Sequence, residues 1–221
     1  MKSIQHIDLI TPIGREIDQA AALVVQAFQE EALTSVWLDF NHKPIRRAYE
    51  ALIKEKLQTM IQADQPVIAA ISEKNVVGIA VVKSPGMKIG LWPRLKGMVR
   101  SVPKLIILVP SVVRALRIGC LQLKPPSSLP ENRFSLEAIA VHPDYQGQRI
   151  GSRFLDEVHR LSEQAEKADG IYLYTGSDEN VALYKRFGYT VVDTVDGKGF
   201  RAYHMFRKQI KEGQTPKGVM R

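Results

Sequence analysis

The sequence predicts one α/β domain in which a mixed, twisted β-sheet is flanked by helices. Apolar patterns typical of strands alternate along the chain with patterns typical of helices. The length of 221 residues suits one domain of ordinary size with a sizeable core. A hydrophobic fraction of 45% and a charged fraction of 24% are typical of a soluble globular protein and exclude a disordered chain.

The N-terminal half is predicted to hold one strand, two helices and a hairpin. Apolar residues alternate loosely in the first segment and recur at helical spacing in the next two. Pro44 suits the first turn of the second helix, and Gln65-Pro66 ends it. The predicted elements are a strand at 3–10, helices at 15–33 and 42–65, and strands at 67–72 and 76–82.

The C-terminal half is predicted to alternate strand and helix and to close on a hairpin. Ser177 is the predicted N-cap of the last helix, with Asp178 and Glu179 in a first turn where the helix dipole favours acids. Asp196-Gly197 is a strong turn signal for the hairpin. The predicted elements are a strand at 136–141, a helix from 150, a strand at 171–175, a helix at 178–187, and strands at 189–195 and 200–207.

The chain is basic, with a net charge of +8 and a pI near 9.6, which suits a ligand that carries phosphates. We expect no nucleic-acid partner, because the basic residues are not interleaved with aromatics, which make up only 7% of the chain. The histidines and the single Cys120 show no metal-ligand spacing, so we expect no metal. The N-terminus lacks a signal-peptide pattern, so we expect a cytoplasmic protein.

A glycine-containing loop joins the predicted strand Leu136 to Val141 to the helix that begins near Ile150. This loop, Gln146 to Ser152, contains Gly147 and Gly151. The first N–H groups of a helix lack intrahelical acceptors, and the helix dipole places partial positive charge there. The loop is therefore a candidate phosphate site, and the alternative is a tight turn that its glycines shape.

The loop resembles the acyl-CoA-binding motif of the GNAT superfamily of N-acetyltransferases, Gln/Arg-x-x-Gly-x-Gly/Ala. Gln146 and Gly151 match the ends of this motif, whereas Arg149 stands where its first glycine is usual. Leu136 to Pro143 resembles the family's fourth strand, and Thr175 to Tyr189 resembles the end of its fifth strand with the following helix. The sequence is most similar to the branch that contains puromycin N-acetyltransferase. The resemblance implies the GNAT fold, with about six to seven strands.

The resemblance also implies a coenzyme site, with acetyl-CoA as the co-substrate. Main-chain groups of Ile139 and Val141 would pair with the pantetheine arm like an added strand, and a nearby bulge would aim an N–H at the thioester oxygen. The loop amides would hold the pyrophosphate. The residues implied in coenzyme binding are Ile139, Ala140, Val141, Gln146, Gly147, Gln148, Arg149, Ile150, Gly151, Ser152, Asn180 and Tyr184.

Acetyl transfer requires a neutral amine, donors for the oxyanion and a proton for the departing thiolate. The resemblance implies that Tyr184 protonates the coenzyme A sulfur, and the alternative is a packing tyrosine. Asn180 lies four residues earlier, so it shares a helix face with Tyr184 and is implied to contact the pantetheine or the adjoining coenzyme arm. The alternative for Asn180 is an ordinary first-turn residue.

Glu137 is the candidate base, because related enzymes often carry Glu or His at this position of the fourth strand. Strand alternation places Glu137 on the side of Ile139 and opposite Leu136 and Ala138. A carboxylate in an apolar strand needs water or a partner, which favours a cleft. The alternative is a solvated Glu at a sheet edge.

A long insert separates the third and fourth predicted strands, at about residues 84–133. It carries no acid before Glu131, and Pro103 and Pro110 predict short helical pieces, such as 103–109 and 110–118. Its basic residues are too dense for a transmembrane helix of about 20 apolar residues. Three roles remain open: a lid on the acceptor pocket, extra packing or a homodimer interface, and a basic surface that touches anionic membrane.

Residues 1–210 are therefore expected to form a single N-acetyltransferase domain, followed by a flexible tail at 211–221. The expected activity is that of an acyl-CoA-dependent N-acyltransferase, which transfers acetyl from acetyl-CoA to the amine of a small molecule by direct attack. Two alternatives stay open. One is acetylation of a protein N-terminus or lysine, and the other is a non-catalytic acyl-CoA-binding sensor.

Overall fold

The computed structural model describes residues 7–87, 91–119 and 123–209. Residues 3–6 of the first predicted strand and the predicted tail at 211–221 lie outside these ranges. The strands are β1 (Asp8–Ile10), β2 (Val67–Ser72), β3 (Asn75–Lys83), β4 (Arg133–Val141), β5 (Gly170–Thr175), β6 (Thr190–Gly197) and β7 (Phe200–Lys208). The helices are α1 (Arg15–Gln29), α2 (Ala32–Ser35), α3 (Lys43–Gln62), α4 (Leu91–Ile118), α5 (Ile150–Gln164) and α6 (Asp178–Arg186).

The seven strands form one mixed sheet in the order β1-β2-β3-β4-β5-β7-β6. Only the β4–β5 pair is parallel, and every other neighbouring pair is antiparallel. A parallel pair needs a crossover connection, and α5 supplies it between β4 and β5. The predicted α/β class, with helices flanking a mixed sheet, is confirmed.

Helices cover both faces of the sheet. On one face, α1 and α3 pack against β2 and β3 through a cluster that includes Val24, Leu57 and Ile79. On the other face, α5 buries Phe154 and Leu155 because apolar residues recur on one side of this helix. The strands between are covered on both sides, so β3 is buried over nearly its whole length.

The predicted helix at 15–33 is two helices rather than one. α1 ends at Gln29, and α2 begins after Glu31, whose carboxylate accepts hydrogen bonds from the Thr34 N–H (2.8 Å) and hydroxyl (2.9 Å). Glu31 therefore acts as the N-cap of a new helix. The intervening residues Gln29 to Glu31 are good helix formers, so periodicity gave no sign of the break.

In the described part of the insert, the helix α4 continues through Pro103 and Pro110. The predicted short pieces at 103–109 and 110–118 were therefore wrong. Both prolines are exposed, whereas Leu108, Ser111 and Ala115 on the inner side are buried. Leu108 joins a cluster with residues of α1 and α3, so packing offsets the helix hydrogen bonds that the prolines cannot make. No helix in the described ranges is long and apolar enough to cross a membrane.

Candidate active site

The central feature of the site is a gap between β4 and β5. These strands pair at only three positions, from Arg133 opposite Gly170 to Ser135 opposite Tyr172. Beyond these pairs, β4 continues to Val141 and β5 continues to Thr175 without pairing to each other. The two strands therefore separate, and the edge of β4 that faces β5 leaves main-chain groups available to a ligand.

A β-bulge lies in β4 where the gap opens. Val81 of β3 faces Ala138 and Val82 faces Leu136, so Glu137 is an extra residue without a partner in the pairing with β3. The bulge breaks the side-chain alternation of the strand. Leu136 and Ile139 both pack toward α5, whereas Ala138 packs toward α1 and α3.

The predicted placement of Glu137 beside Ile139 and opposite Ala138 was therefore wrong. Glu137 points toward the α3 side, where its Oε2 accepts a hydrogen bond from Lys56 Nζ at 3.2 Å. The exposed fraction of the Glu137 side chain is 33%, and that of Lys56 is 44%, so the ion pair is wet. Simple alternation fails here because one inserted residue moves every following side chain to the opposite face.

The glycine-containing loop follows β4 and a single 3₁₀ turn at Pro143–Tyr145. Gly147 has φ of 76°, and Arg149, which precedes α5, has φ of 61°. The second value explains why the acyl-CoA motif carries glycine at this position, since a left-handed backbone costs other residues about 1–2 kcal/mol. The Arg149 side chain is exposed.

The first turn of α5 presents unpaired donors. No side chain caps this turn, and the N–H groups from Gln148 to Ser152 have no acceptor in the described part of the chain. A side chain at Gly151 would start in open space, because no atom beyond its chain neighbours and the backbone of its own helix lies within 4 Å of an ideal Cβ at that position. The loop thus offers an open, positively polarised surface to an anion.

A cavity of about 760 Å³ runs from this loop into the gap between β4 and β5. Eight of the residues predicted for the site line it: Glu137, Ile139, Ala140, Val141, Gln146, Gly151, Asn180 and Tyr184. The other predicted residues belong to the loop and the first turn of α5 but do not line the cavity: Gly147, Gln148, Arg149, Ile150 and Ser152. Of these, Ile150 is buried in the core beside Phe154.

Tyr184 reaches the cavity from α6 and is buried, with an exposed fraction of 6%. Its ring packs edge-on against Tyr189 at 5.7 Å between centroids. Burial raises the pKa of Tyr184 to about 12, so the hydroxyl stays protonated at neutral pH. The hydroxyl has no hydrogen-bond partner among the described residues, and it remains a donor for a ligand in the cavity.

Asn180 lies one turn before Tyr184 on the same helix. The Ser177 hydroxyl accepts a hydrogen bond from the Asn180 backbone N–H, as the predicted N-cap requires. The Asn180 side-chain amide donates to the Thr175 hydroxyl at 3.3 Å, so its orientation is fixed from the end of β5. Because both residues line the cavity, α6 presents an amide and a hydroxyl to the same space.

A further part of the cavity wall is built from residues that sequence reasoning missed. They share aromatic or charged character and come mainly from α1, α3 and the segment around α2: Phe28, Glu30, Glu31, Trp37, Tyr49, Lys56 and Tyr174. Burial, with nearby Tyr174 and Glu31, raises the pKa of Tyr49 above its usual range. Trp37 packs edge-on against Tyr49 at 6.3 Å between centroids. This part of the wall combines aromatic surface with two carboxylates and one ammonium group.

Among the residues that the structure describes, no group of three or more His, Cys, Asp or Glu side chains could hold a metal ion. His142 occupies a turn, where its Nδ1 accepts a hydrogen bond from the Asp144 N–H at 3.3 Å. His159 and His204 are buried in contact with Tyr189 and Tyr172, respectively. These contacts indicate structural roles for the three histidines.

Residues 111–191 match a family model described as an acetyltransferase (GNAT) domain. The matched range contains the bulge, the glycine-containing loop and Tyr184. No curated protein sequence matches the chain. The family match thus rests on the segment that carries the predicted coenzyme site.

Solved structures match nearly the whole chain. A histone acetyltransferase HPA2 and related acetyltransferase from Corynebacterium glutamicum is 15% identical, with 93% of this chain and 98% of that chain covered and a TM-score of 0.63. PaiA N-acetyltransferase from Thermoplasma acidophilum, in complex with coenzyme A, is 12% identical, with coverage of 92% and 99% and a TM-score of 0.56. An N-acetyltransferase from Staphylococcus aureus is 14% identical, with coverage of 90% and 99% and a TM-score of 0.57.

The chain has the GNAT acetyltransferase fold. The family model matches residues 111–191, less than half of the chain, and the solved structures share the fold with nearly the whole chain. The predicted GNAT fold, with about six to seven strands, is confirmed by a sheet of seven strands. At identities of 12–15%, these structures indicate the fold of the chain but not its acceptor. The acceptor must therefore be inferred from the cavity of this chain.

Proposed function

We propose that the protein is an acyl-CoA-dependent N-acetyltransferase that transfers acetyl from acetyl-CoA to the amine of a small molecule by direct attack. The observation that carries the proposal is the gap between β4 and β5, which leads directly to the uncapped first turn of α5. A linear ligand with an anionic end fits this combination, because the strand edge can pair with amide groups while the helix N-terminus binds phosphate.

The residues present fit coenzyme A. The edge of β4 from Ile139 to Val141 would pair with the pantetheine amides, and the loop amides would bind the pyrophosphate. Gly151 leaves the approach to these amides open. Asn180 lines the same cavity and would donate to, or accept from, the pantetheine or the adjoining coenzyme arm.

Tyr184 would act on the departing sulfur. Its buried hydroxyl is protonated, faces the cavity and has no partner in the described part of the chain. A thiol has a pKa of about 8.5, well below the value of about 12 for Tyr184, so full proton transfer from the tyrosine to the thiolate is unfavourable and Tyr184 would stabilise the nascent thiolate by donating a hydrogen bond. The thiolate would leave the site in this form or take its proton from solvent.

Glu137 would take the proton that the attacking amine loses. Lys56 contacts only its Oε2, and Oε1 has no partner among the described residues. The carboxylate is partly exposed, so a water molecule can carry the proton between the amine and Oε1. The bulge at Glu137 places this carboxylate where the gap opens, next to the proposed thioester position.

The part of the cavity wall formed by α1, α3 and the segment around α2, here called the acceptor end, supports a small cationic amine with an apolar or aromatic body. Glu30 and Glu31 add negative charge, while Trp37 and Tyr49 supply aromatic surface. The sequence resembles the branch that contains puromycin N-acetyltransferase, so puromycin is among the first acceptors to try. A macromolecular acceptor would have to present its amine inside this cavity.

The proposal is tested by calorimetric titration of the purified protein with acetyl-CoA, followed by thiol release against amines that include puromycin and polyamines. The account expects binding, and release that depends on the amine. A Tyr184→Phe variant separates an enzyme from a sensor, because an enzyme loses rate while a sensor binds the coenzyme unchanged and has no rate to lose. Absence of acetyl-CoA binding would contradict the proposal.

A further inference from the structure

The outer face of α4, over its described side chains from Val102 onward, is apolar and exposed. Six large aliphatic side chains on it are 38–66% exposed, and they recur three or four positions apart: Val102, Leu105, Ile106, Val109, Val113 and Leu116. At 3.6 residues per turn these six lie within an arc of about 100°. The buried residues Leu108, Ser111 and Ala115 lie on the inner side of the same helix, and Leu108 packs in a cluster with residues of α1 and α3.

This face lies in the part of the chain that holds its excess charge. From Ser84 to Pro130 the sequence contains eight Lys or Arg residues and no Asp or Glu. The net charge of the whole chain is also +8, so the remaining residues are balanced between 23 basic and 23 acidic side chains. Arg114 and Arg117 are exposed on α4. At 100° per residue, Arg117 lies about 20° and Arg114 about 80° beyond one edge of the apolar arc.

We propose that the outer face of α4 docks on the surface of an anionic lipid bilayer. Aliphatic residues would enter the boundary between headgroups and acyl chains, while Arg114 and Arg117 would remain at the level of the anionic headgroups. Both parts of the binding energy are present, the apolar contact and the attraction of basic residues to negative lipid. This inference does not depend on the reaction in the cavity.

Charge complementarity favours an anionic bilayer over a second copy of the chain as the partner of this face. In a symmetric dimer through α4, the acid-free segment of one copy would face the same segment of the other, and like charges would meet. A bilayer with anionic lipid supplies the opposite charge and accepts a single convex helix without a shaped groove. The helix would lie in the interface, because no described helix is apolar enough to span the bilayer.

Vesicle sedimentation with the full chain tests the proposal. The probes are vesicles of phosphatidylcholine alone and vesicles with about 30% phosphatidylglycerol, at low and physiological salt. The protein is expected to sediment with the anionic vesicles, more weakly as salt rises, and to stay in solution with phosphatidylcholine alone. No sedimentation with anionic vesicles would overturn the proposal.

Matched variants locate the binding face. Ile106 and Ile13 are 66% and 70% exposed, and only Ile106 lies on α4. Ile106→Glu is expected to lower vesicle partitioning at least about tenfold, because a charge enters the apolar arc, whereas Ile13→Glu leaves partitioning unchanged. Equal effects of both variants would overturn the assignment to α4.

The basic contribution is tested with Arg114→Gln and Arg117→Gln, each expected to lower partitioning about fivefold. Replacing exposed Lys185 and Arg186 of α6, on the opposite layer of the sheet, is the charge control and should have no effect. Sedimentation velocity without lipid tests whether a second copy of the chain binds this face instead. A concentration-dependent dimer that Ile106→Glu abolishes would overturn the lipid proposal in favour of a second copy.

Discussion

The proposed coenzyme end of the cavity comes largely from one continuous segment, whereas the proposed acceptor end is assembled from separate parts of the chain. Ile139, Val141, Gln146 and Gly151 lie within a single strand–loop–helix unit. At the acceptor end, Lys56 meets Glu137 across 81 positions of sequence. A contiguous binding unit can carry a motif, but a surface formed by distant elements cannot.

The two ends also differ in what determines their chemistry. Backbone groups dominate the coenzyme end: an unpaired strand edge and an uncapped helix turn. Side chains dominate the acceptor end, where aromatic rings and charges line the wall. Substitutions should therefore affect coenzyme binding mainly through shape, and acceptor binding mainly through charge and apolar contact. The following predictions test this division from the largest expected effect to the smallest.

Tyr184→Phe should lower the rate of thiol release by about 10²–10⁴ while coenzyme affinity stays within about twofold, because only the donor to the sulfur is lost. Tyr189→Phe is the matched control, since Tyr189 is a buried tyrosine of the same cluster that bonds His159 and does not line the cavity. Stopped-flow thiol detection measures both. An equal loss in the two variants would contradict a chemical role for Tyr184.

Glu137→Gln should lower kcat by about 10²-fold, because the amine loses its proton acceptor. Lys56→Gln removes the ion-pair partner and leaves the carboxylate, so its loss should stay below about tenfold. Steady-state kinetics with a saturating amine separates the two. If both variants lost the same rate, the Glu137–Lys56 pair would be structural and the base would lie elsewhere.

Gly151→Val should weaken acetyl-CoA binding at least about tenfold, because the new side chain enters the open approach to the loop amides. The fold should tolerate it, since no atom lies within 4 Å of the added Cβ and valine is a better helix former than glycine. Calorimetry measures the affinity, with Ala182→Val on the exposed side of α6 as the control. Unchanged affinity would show that the coenzyme does not approach this turn.

Glu30→Gln should raise the KM of a cationic acceptor by about threefold to fivefold and leave the KM of acetyl-CoA unchanged, because one negative charge leaves the acceptor end. Glu30 is exposed, so the fold should not respond. Glu166→Gln, another exposed carboxylate that does not line the cavity, is the control. A rise in the KM of acetyl-CoA would contradict the division between the two ends.

Arg149→Gly should raise the free energy of unfolding by up to about 1 kcal/mol, because glycine adopts the φ of 61° without strain. Coenzyme affinity should change less than about fivefold if the exposed Arg149 side chain points to solvent. Denaturant unfolding and calorimetry measure the two quantities. A larger loss of affinity would mean that the guanidinium contacts the diphosphate.

The sequence was informative where local geometry decides the structure. The strand, glycine-containing loop and helix from Leu136 onward could be predicted because turn residues and periodicity act over a few neighbours. The side of Glu137 could not be predicted, because the bulge arises from pairing with β3. Helix α4 also continues through Pro103 and Pro110 because it packs against other helices, and this packing cannot be predicted from local helix propensity.

The central claim is that acyl-CoA lies along the unpaired edge of β4, and hydrogen exchange of the backbone amides tests it most directly. Saturating acetyl-CoA should slow exchange in the segment from Leu136 to Val141 and in the loop from Gln148 to Ser152. Arg133 to Ser135, already paired with β5, should change little. Protection elsewhere, with the β4 edge and the loop unchanged, would contradict the account.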